Sequence, residues 1–127
     1  MKTMFVLISH PMTDMQRKDA IRRYGVERFI FLDTSLWSQI PADAKSVLPY
    51  LAELEKSLER EADSGDILFV QGDFGATCAM VQWAFAKGMV PVYATTKRDA
   101  AEKVEGDRVV TTRVFKHVRF REYERIC

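Results

Sequence analysis

Cysteine is scarce: Cys78 and Cys127 are the only two among 127 residues. Cys78 lies in an apolar helical stretch, where it reads as core packing, and a disulfide framework is not expected. Histidine is equally rare, and no Cys or His pair has zinc spacing. No acidic cluster has the spacing of a calcium loop. An excess of one charge is also missing, because 19 Lys and Arg face 18 Asp and Glu for a net charge of +1. That balance excludes a blanket of positive charge but not a local basic site. No apolar run approaches the roughly 20 residues of a membrane helix. The start, MKTMFVLISHPMTD, has only a short apolar core and no small-residue cleavage site after it. It reads as a buried strand, and the expected location is cytoplasmic. Repeats, linkers and low-complexity runs are absent as well.

What is present is the composition of one globular domain, 47% apolar and 29% charged. Residues 4–8 form a continuous apolar run, as in a strand covered on both faces. Thr13 and Gln16 make a capping-box pattern for a helix that runs to Tyr24, with Gly25 at its C′ position. Residues 29–32 are a second apolar strand, followed by an irregular stretch with Trp37 and Pro41. Residues 46–62 read as a helix with Val47, Leu51, Leu54 and Leu58 on one face, and Pro49 in its first turn. Residues 67–70 are a third strand, 71–75 a loop and 76–87 a third helix closed by Gly88. Residues 90–94 are a fourth strand, in which Pro91 suggests an edge or a strand start. Residues 101–115 alternate polar and apolar around Gly106-Asp107, as in a hairpin. Alternation of apolar strands with helices predicts an α/β fold with a mostly parallel, Rossmann-like sheet and a C-terminal β-hairpin.

Ligands of open parallel sheets bind where strands end and helices begin. Four segments occupy such positions: Ser9-His10, Asp33-Thr34-Ser35, residues 71–77 and residues 95–98. Gly72 and Gly75 flank Asp73-Phe74 where a strand turns into a helix, a place where backbone N–H groups attract anions. Thr77 adds a hydroxyl. The spacing is neither a dinucleotide fingerprint nor a Walker loop, and Asp73 reads equally well as a plain N-cap. Thr95-Thr96-Lys97-Arg98 joins two hydroxyls to two cations beyond a strand end, suited to phosphate or to a solvated turn. His10 offers proton transfer near neutral pH, or simply meets water. Residues 113–123 interleave basic and aromatic side chains, as nucleic-acid surfaces and half-buried edge strands both do. In extended conformation Phe115, His117, Arg119 and Arg121 would share one face.

Three ordered segments, Gln71-Gly72-Asp73-Phe74-Gly75-Ala76-Thr77, Tyr93-Ala94-Thr95-Thr96-Lys97-Arg98 and Val114-Phe115-Lys116-His117-Val118-Arg119-Phe120-Arg121-Glu122-Tyr123, together resemble the CRISPR-associated Csx-twenty family. The strand ending Ile8-Ser9-His10 and the Trp37 region fit it too, so the resemblance covers nearly the whole chain. Members are similar to the nucleotide-sensing CARF domains of type III CRISPR systems. The resemblance implies a CARF-like three-layer sandwich and a homodimeric ring nuclease that cleaves cyclic tetra-adenylate. It implies no metal, cofactor, membrane or DNA. Two copies of each strand-end loop would then face one ring across a twofold axis.

The chemistry of such a reaction needs in-line attack by a ribose 2′-OH, giving a 2′,3′-cyclic phosphate and a 5′-OH. His10, Asp73 and Lys97 are the expected catalytic residues. Ser9, Gln71, Gly72, Phe74, Gly75, Thr77, Thr95, Thr96, Arg98 and Arg119 are the expected ligand contacts, with His117 closing over the ring beside Arg119. Three other readings fit the same residues: a binder that holds the ring uncut, a nucleotide or sugar-phosphate transferase, and a protein whose basic-aromatic tail docks linear nucleic acid.

Overall fold

A computed structural model describes residues 1–125, apart from the side chains of residues 99, 101 and 113. Cys127 lies outside the described residues. The chain folds as β1 (Thr3–Leu7), α1 (Asp14–Tyr24), β2 (Arg28–Phe31), α2 (Ala52–Glu61), β3 (Ile67–Val70), α3 (Phe74–Ala86), β4 (Val90–Glu105) and β5 (Arg108–Glu122). The strands form one mixed sheet in the order β2-β1-β3-β4-β5. The first four are parallel neighbours, and β5 runs antiparallel to β4.

The apolar strands explain the layering. Both faces of β1 are buried, and its residues divide by parity between two cores. Phe5 and Leu7 join Leu54 and Leu58 of α2 and Met80 and Ala84 of α3. Met4 and Val6 join Ala20 of α1, Phe69 and Phe120 on the opposite face. Burial of these side chains at about 25 cal/mol per Å² is the main force holding the helices to the sheet.

The ends of α1 are fixed locally. The Thr13 hydroxyl accepts from Gln16 N and Gln16 Oε1 accepts from Thr13 N, a complete capping box. Gly25 closes the helix at φ 66°, a left-handed conformation favourable to glycine, and donates to Ile21 O.

Four expectations change. Strand β2 is an edge strand and is not buried on both faces: Phe31 is 54% exposed, and the Arg17 guanidinium lies 4.8 Å from the Phe29 ring centre. The stretch 46–62 is not one helix. A 3-10 turn, Leu48–Tyr50, with Pro49 near its start precedes α2, although Leu51, Leu54 and Leu58 do face the core. Helix α3 starts at Phe74, two residues earlier than its apolar pattern suggests, because the Asp73 carboxylate caps it. Pro91 lies at a strand start, one of the two places expected for it, and β4 is internal to the sheet. Most consequentially, β4 does not end at residue 94. It runs on to Glu105 and pairs with β5 along its length, so Thr95 to Arg98 lie within a strand rather than beyond one.

Strand β3 accompanies β4 only as far as Val92. The remainder of β4 and β5 is therefore a two-stranded arm that leaves the carboxyl edge of the sheet and turns at Gly106, φ 61°.

Candidate functional site

The carboxyl edge is built around the ends of β1, β2 and β3. Sheet order reverses between β1 and β3, because β2 lies on one side of β1 and β3 on the other. Crevices in open sheets form at such a reversal. Ser9 and His10 leave β1 here and line a cavity of about 280 Å³ with Ile8, Phe31, Leu32 and Thr34. Asp33 stands beside it; its carboxyl is held below the usual range by the backbone N–H of Ser35 and then by the Ser35 side chain.

His10 is exposed, with Nδ1 3.0 Å from Pro11 O. A carbonyl only accepts, so this contact requires Nδ1–H and leaves Nε2 as the free acceptor of the neutral ring.

The loop after β3 is more occupied than its glycines suggest. Trp37 is buried and its Nε1–H donates to Gln71 O at 2.9 Å. A Cβ on Gly72 would lie 2.6 Å from Trp37 Nε1, so glycine is required here by the indole. Gly75 has no such constraint; its nearest neighbours would be in ordinary contact. Gln71 Oε1 accepts from Ala94 N at 2.6 Å and splints the point where β4 parts from β3. Asp73 Oδ2 accepts from Ala76 N at 2.9 Å, and its carbonyl accepts from Thr77 N. One carboxylate thus already occupies the start of α3, and an anion placed there must be held by cations from elsewhere. Phe74, the first helical residue, is 91% exposed.

Those cations stand at the root of the arm. Lys97 and Arg98 are exposed, and the Arg98 guanidinium lies 5.2 Å from the Phe115 ring centre. Thr95 Oγ1 donates to Arg119 O at 3.0 Å and is approached by Arg119 N. Thr96 is exposed beside it. Ala94 is tied to Gln71, so the strand rise of about 3.3 Å per residue puts Thr95 one step and Arg98 four steps above that loop.

The expected face of Phe115, His117, Arg119 and Arg121 does not form. Register shifts between Thr95 and Thr96, where Arg119 pairs with the first and His117 with the second, leaving Val118 as a bulge. The bulge turns His117 inward beside Phe120, with ring centres 4.9 Å apart. His117 Nε2 meets Asp19 Oδ2 at 2.8 Å, and Phe120 N donates to the same oxygen. Asp19 Oδ1 faces Arg22 and Arg23. Burial alone would raise the Asp19 carboxyl, but the bonds from His117 and Arg22 and the charge of Arg23 hold it below the usual carboxylate range. His117 is thus an anchor of the arm and does not stand over the edge beside Arg119. The signal for this cluster was present in the sequence: Asp19 falls with Gln16 and Ala20 on the inward face of α1, an unusual place for a carboxylate.

Cys78 is exposed and not in the core. With Thr77, Val81, Gln82, Phe85 and Tyr123 it lines a second, apolar cavity of about 350 Å³. Thr77 Oγ1 is buried there without a protein partner, so of the expected contacts Thr77 alone belongs to this cavity. The Tyr123 hydroxyl donates to Val70 O at 2.7 Å, and burial, then Tyr93, pushes its pKa up to about 12. Among the described residues, no group of three or more His, Cys, Asp or Glu is placed to hold a metal ion, and no helix is long and apolar enough to cross a membrane.

A family model described as the Uncharacterized protein MJ1673 family matches residues 2–121. The chain belongs to that family. It is 43% identical over 126 residues to the protein "Uncharacterized protein MJ1673" of Methanocaldococcus jannaschii, an alignment covering 97% of this chain and 98% of that one. No solved structure matches. The MJ1673 family description names no activity, so function must be argued from the carboxyl edge itself.

Proposed function

We propose that this MJ1673-family protein is a metal-independent ring nuclease of CARF-like, Rossmann-like architecture that binds cyclic tetra-adenylate at the carboxyl edge of its sheet and linearises it. The observation that carries the reading is a combination of groups. The reading is supported by the Ser9-His10 cavity at the end of β1, the exposed Phe74 ring after β3 and the exposed cations Lys97 and Arg98 at the root of the arm, with Arg119, whose Nε donates to Phe120 O, paired beside Thr95. That set matches a ligand that is at once aromatic, hydroxylated and polyanionic. Phe74 stacks an adenine, which covers a ring otherwise left almost wholly in water. Lys97 and Arg98 neutralise phosphate and the charge that develops on the phosphorane.

His10 Nε2 takes the proton of a ribose 2′-OH, which attacks the adjacent phosphorus in line. The P–O5′ bond breaks, the leaving 5′ oxygen takes a proton from solvent water, and the products are a 2′,3′-cyclic phosphate and a 5′-OH, with the 2′ proton later released from His10. Asp73 and Gln71 act through position rather than proton transfer, since both already hold backbone N–H groups. The active form is a homodimer that presents the edge twice and acts in the cytoplasm. Its product ends type III CRISPR signalling by removing the ring.

A second reading, a protein that holds the ring without cutting it, is favoured by one feature. Among the described residues His10 has no carboxylate to orient it, its only polar contact being Pro11 O.

One experiment separates them. The protein is incubated with labelled cyclic tetra-adenylate in EDTA. Linear products ending in cyclic phosphate are expected. Bound but intact ring after long incubation with stoichiometric protein would establish the second reading instead. His10→Ala is expected to slow cleavage by about 10²-fold or more; an unchanged rate removes His10 from proton transfer.

A further inference from the structure

From Lys97 to Lys116 the described side chains of the β4–β5 arm are exposed. Beyond the body it comprises ten cross-strand pairs, from Thr96 with His117 to Glu105 with Arg108. At about 3.3 Å per residue it is roughly 33 Å long. Its exposed side chains include Val104 at 71%, Val109 at 62% and Phe115 at 60%. Isolated two-stranded ribbons are marginal in water, and an unpaired strand edge is a template for another strand.

The two edges of the ribbon differ in charge. Strand β5 carries Arg108, Arg113, Lys116, Arg119 and Arg121 against one acid, Glu122, and is the more uniformly cationic of the two strands, which disfavours pairing with a second β5. Strand β4 carries Lys97, Arg98 and Lys103 together with Asp99, Glu102 and Glu105, and Lys103 Nζ lies 3.8 Å from Glu105 of its own chain. Antiparallel pairing of this edge with itself, centred on residue 101, sets Lys97 opposite the partner's Glu105 twice, once on each side of the axis. The same register sets Val104 opposite the partner's Arg98. One cross-strand row then reads Val109, Val104, the partner's Arg98 and the partner's Phe115, which gathers the most exposed apolar side chains of the arm on one face. Shifting the centre half a residue one way sets Arg98 against Lys103 and loses both features; shifting it the other way replaces the Lys97 pairs with Arg98 opposite Glu105 and takes Phe115 out of the row of Val104 and Val109.

We propose that the β4 edge of the arm is a homodimer interface, two arms pairing antiparallel about residue 101 into a four-stranded sheet. This stands whether or not the ligand reading above is correct. In such a dimer the hairpin tip of one chain, with Arg108, lies beside the root of the other chain's arm, next to the Gln71 loop. Each carboxyl edge is then completed by a residue of the partner, giving two composite sites rather than one shared ring on the axis.

The test is the oligomeric state of the full chain by light scattering and sedimentation. The wild type is expected to be dimeric at micromolar concentration. Glu105→Lys is expected to raise the dimer dissociation constant at least about tenfold, because symmetry counts the change twice. Lys97→Glu should do the same, and the double variant Lys97→Glu with Glu105→Lys should return to within about threefold of wild type. A monomeric wild type overturns the proposal. So does a dimer whose constant is unmoved by either single reversal, or a double variant no tighter than the singles.

Discussion

Gly72 owes its lack of a side chain to Trp37. The indole sits against the loop backbone and donates to Gln71 O, and a Cβ would press within 3 Å of three indole atoms. Gly72→Ala is therefore expected to cost about 1–3 kcal/mol by displacing the ring, measurable as a lower urea midpoint with unchanged slope. An alanine variant as stable as wild type would show that the indole moves freely.

Asp19 makes a different kind of contribution. Its carboxyl is held below the ordinary value of 3.8, so its stabilisation is complete above that value and is lost as pH falls through the depressed one. Asp19→Asn should cost about 2 kcal/mol at pH 7 through weakened bonds to His117 and Phe120. The gap between variant and wild type should narrow as pH drops below 3.8; a gap independent of pH would refute the assignment. Phe74, by contrast, buries almost nothing. Phe74→Ala should leave stability within about 0.5 kcal/mol while weakening ring binding, which separates a ligand contact from a packing residue.

Among the elements, the arm is where sequence and structure part most clearly. Strands β1 and β3, the capping box of α1 and the glycine after it were legible, because each is set by residues within one turn or one strand. The length of β4 was not. Residues 95–99 are polar and charged, the pattern of a loop, and they join the fourth strand to the expected hairpin strand only because β5 pairs with them from a distance in sequence. The bulge at Val118 is equally invisible, yet it moves His117 from the ligand side to the Asp19 anchor. The dependence of Gly72 on Trp37 is not legible in the sequence, since their contact spans 35 residues of chain.

The described side chains of the arm's middle and tip are exposed, so they add little to the body's core. Excising residues 101–104 together with 109–112 keeps the pairing and the turn. The shortened chain at high dilution should differ from wild type by less than about 1 kcal/mol, while the dependence of the melting temperature on protein concentration disappears. A loss of several kcal/mol at all concentrations would place the arm in the fold itself.

At the scale of the molecule, the carboxyl edge collects what the sheet order brings there: a cavity at β1 and β2, a capped helix with an exposed aromatic at β3, and a cationic strand rising from β4. The body is held by two apolar cores that use neither His10 nor Lys97, so these residues are free to serve a ligand. The most direct measurement is hydrogen exchange of the wild-type chain with and without cyclic tetra-adenylate. Slowed exchange confined to residues 8–12, 71–77 and 93–98 is the predicted result, with linear tetra-adenylate protecting the same amides less. No change on adding the ring, or protection confined to the helical face around Cys78 and Phe85, would contradict the account.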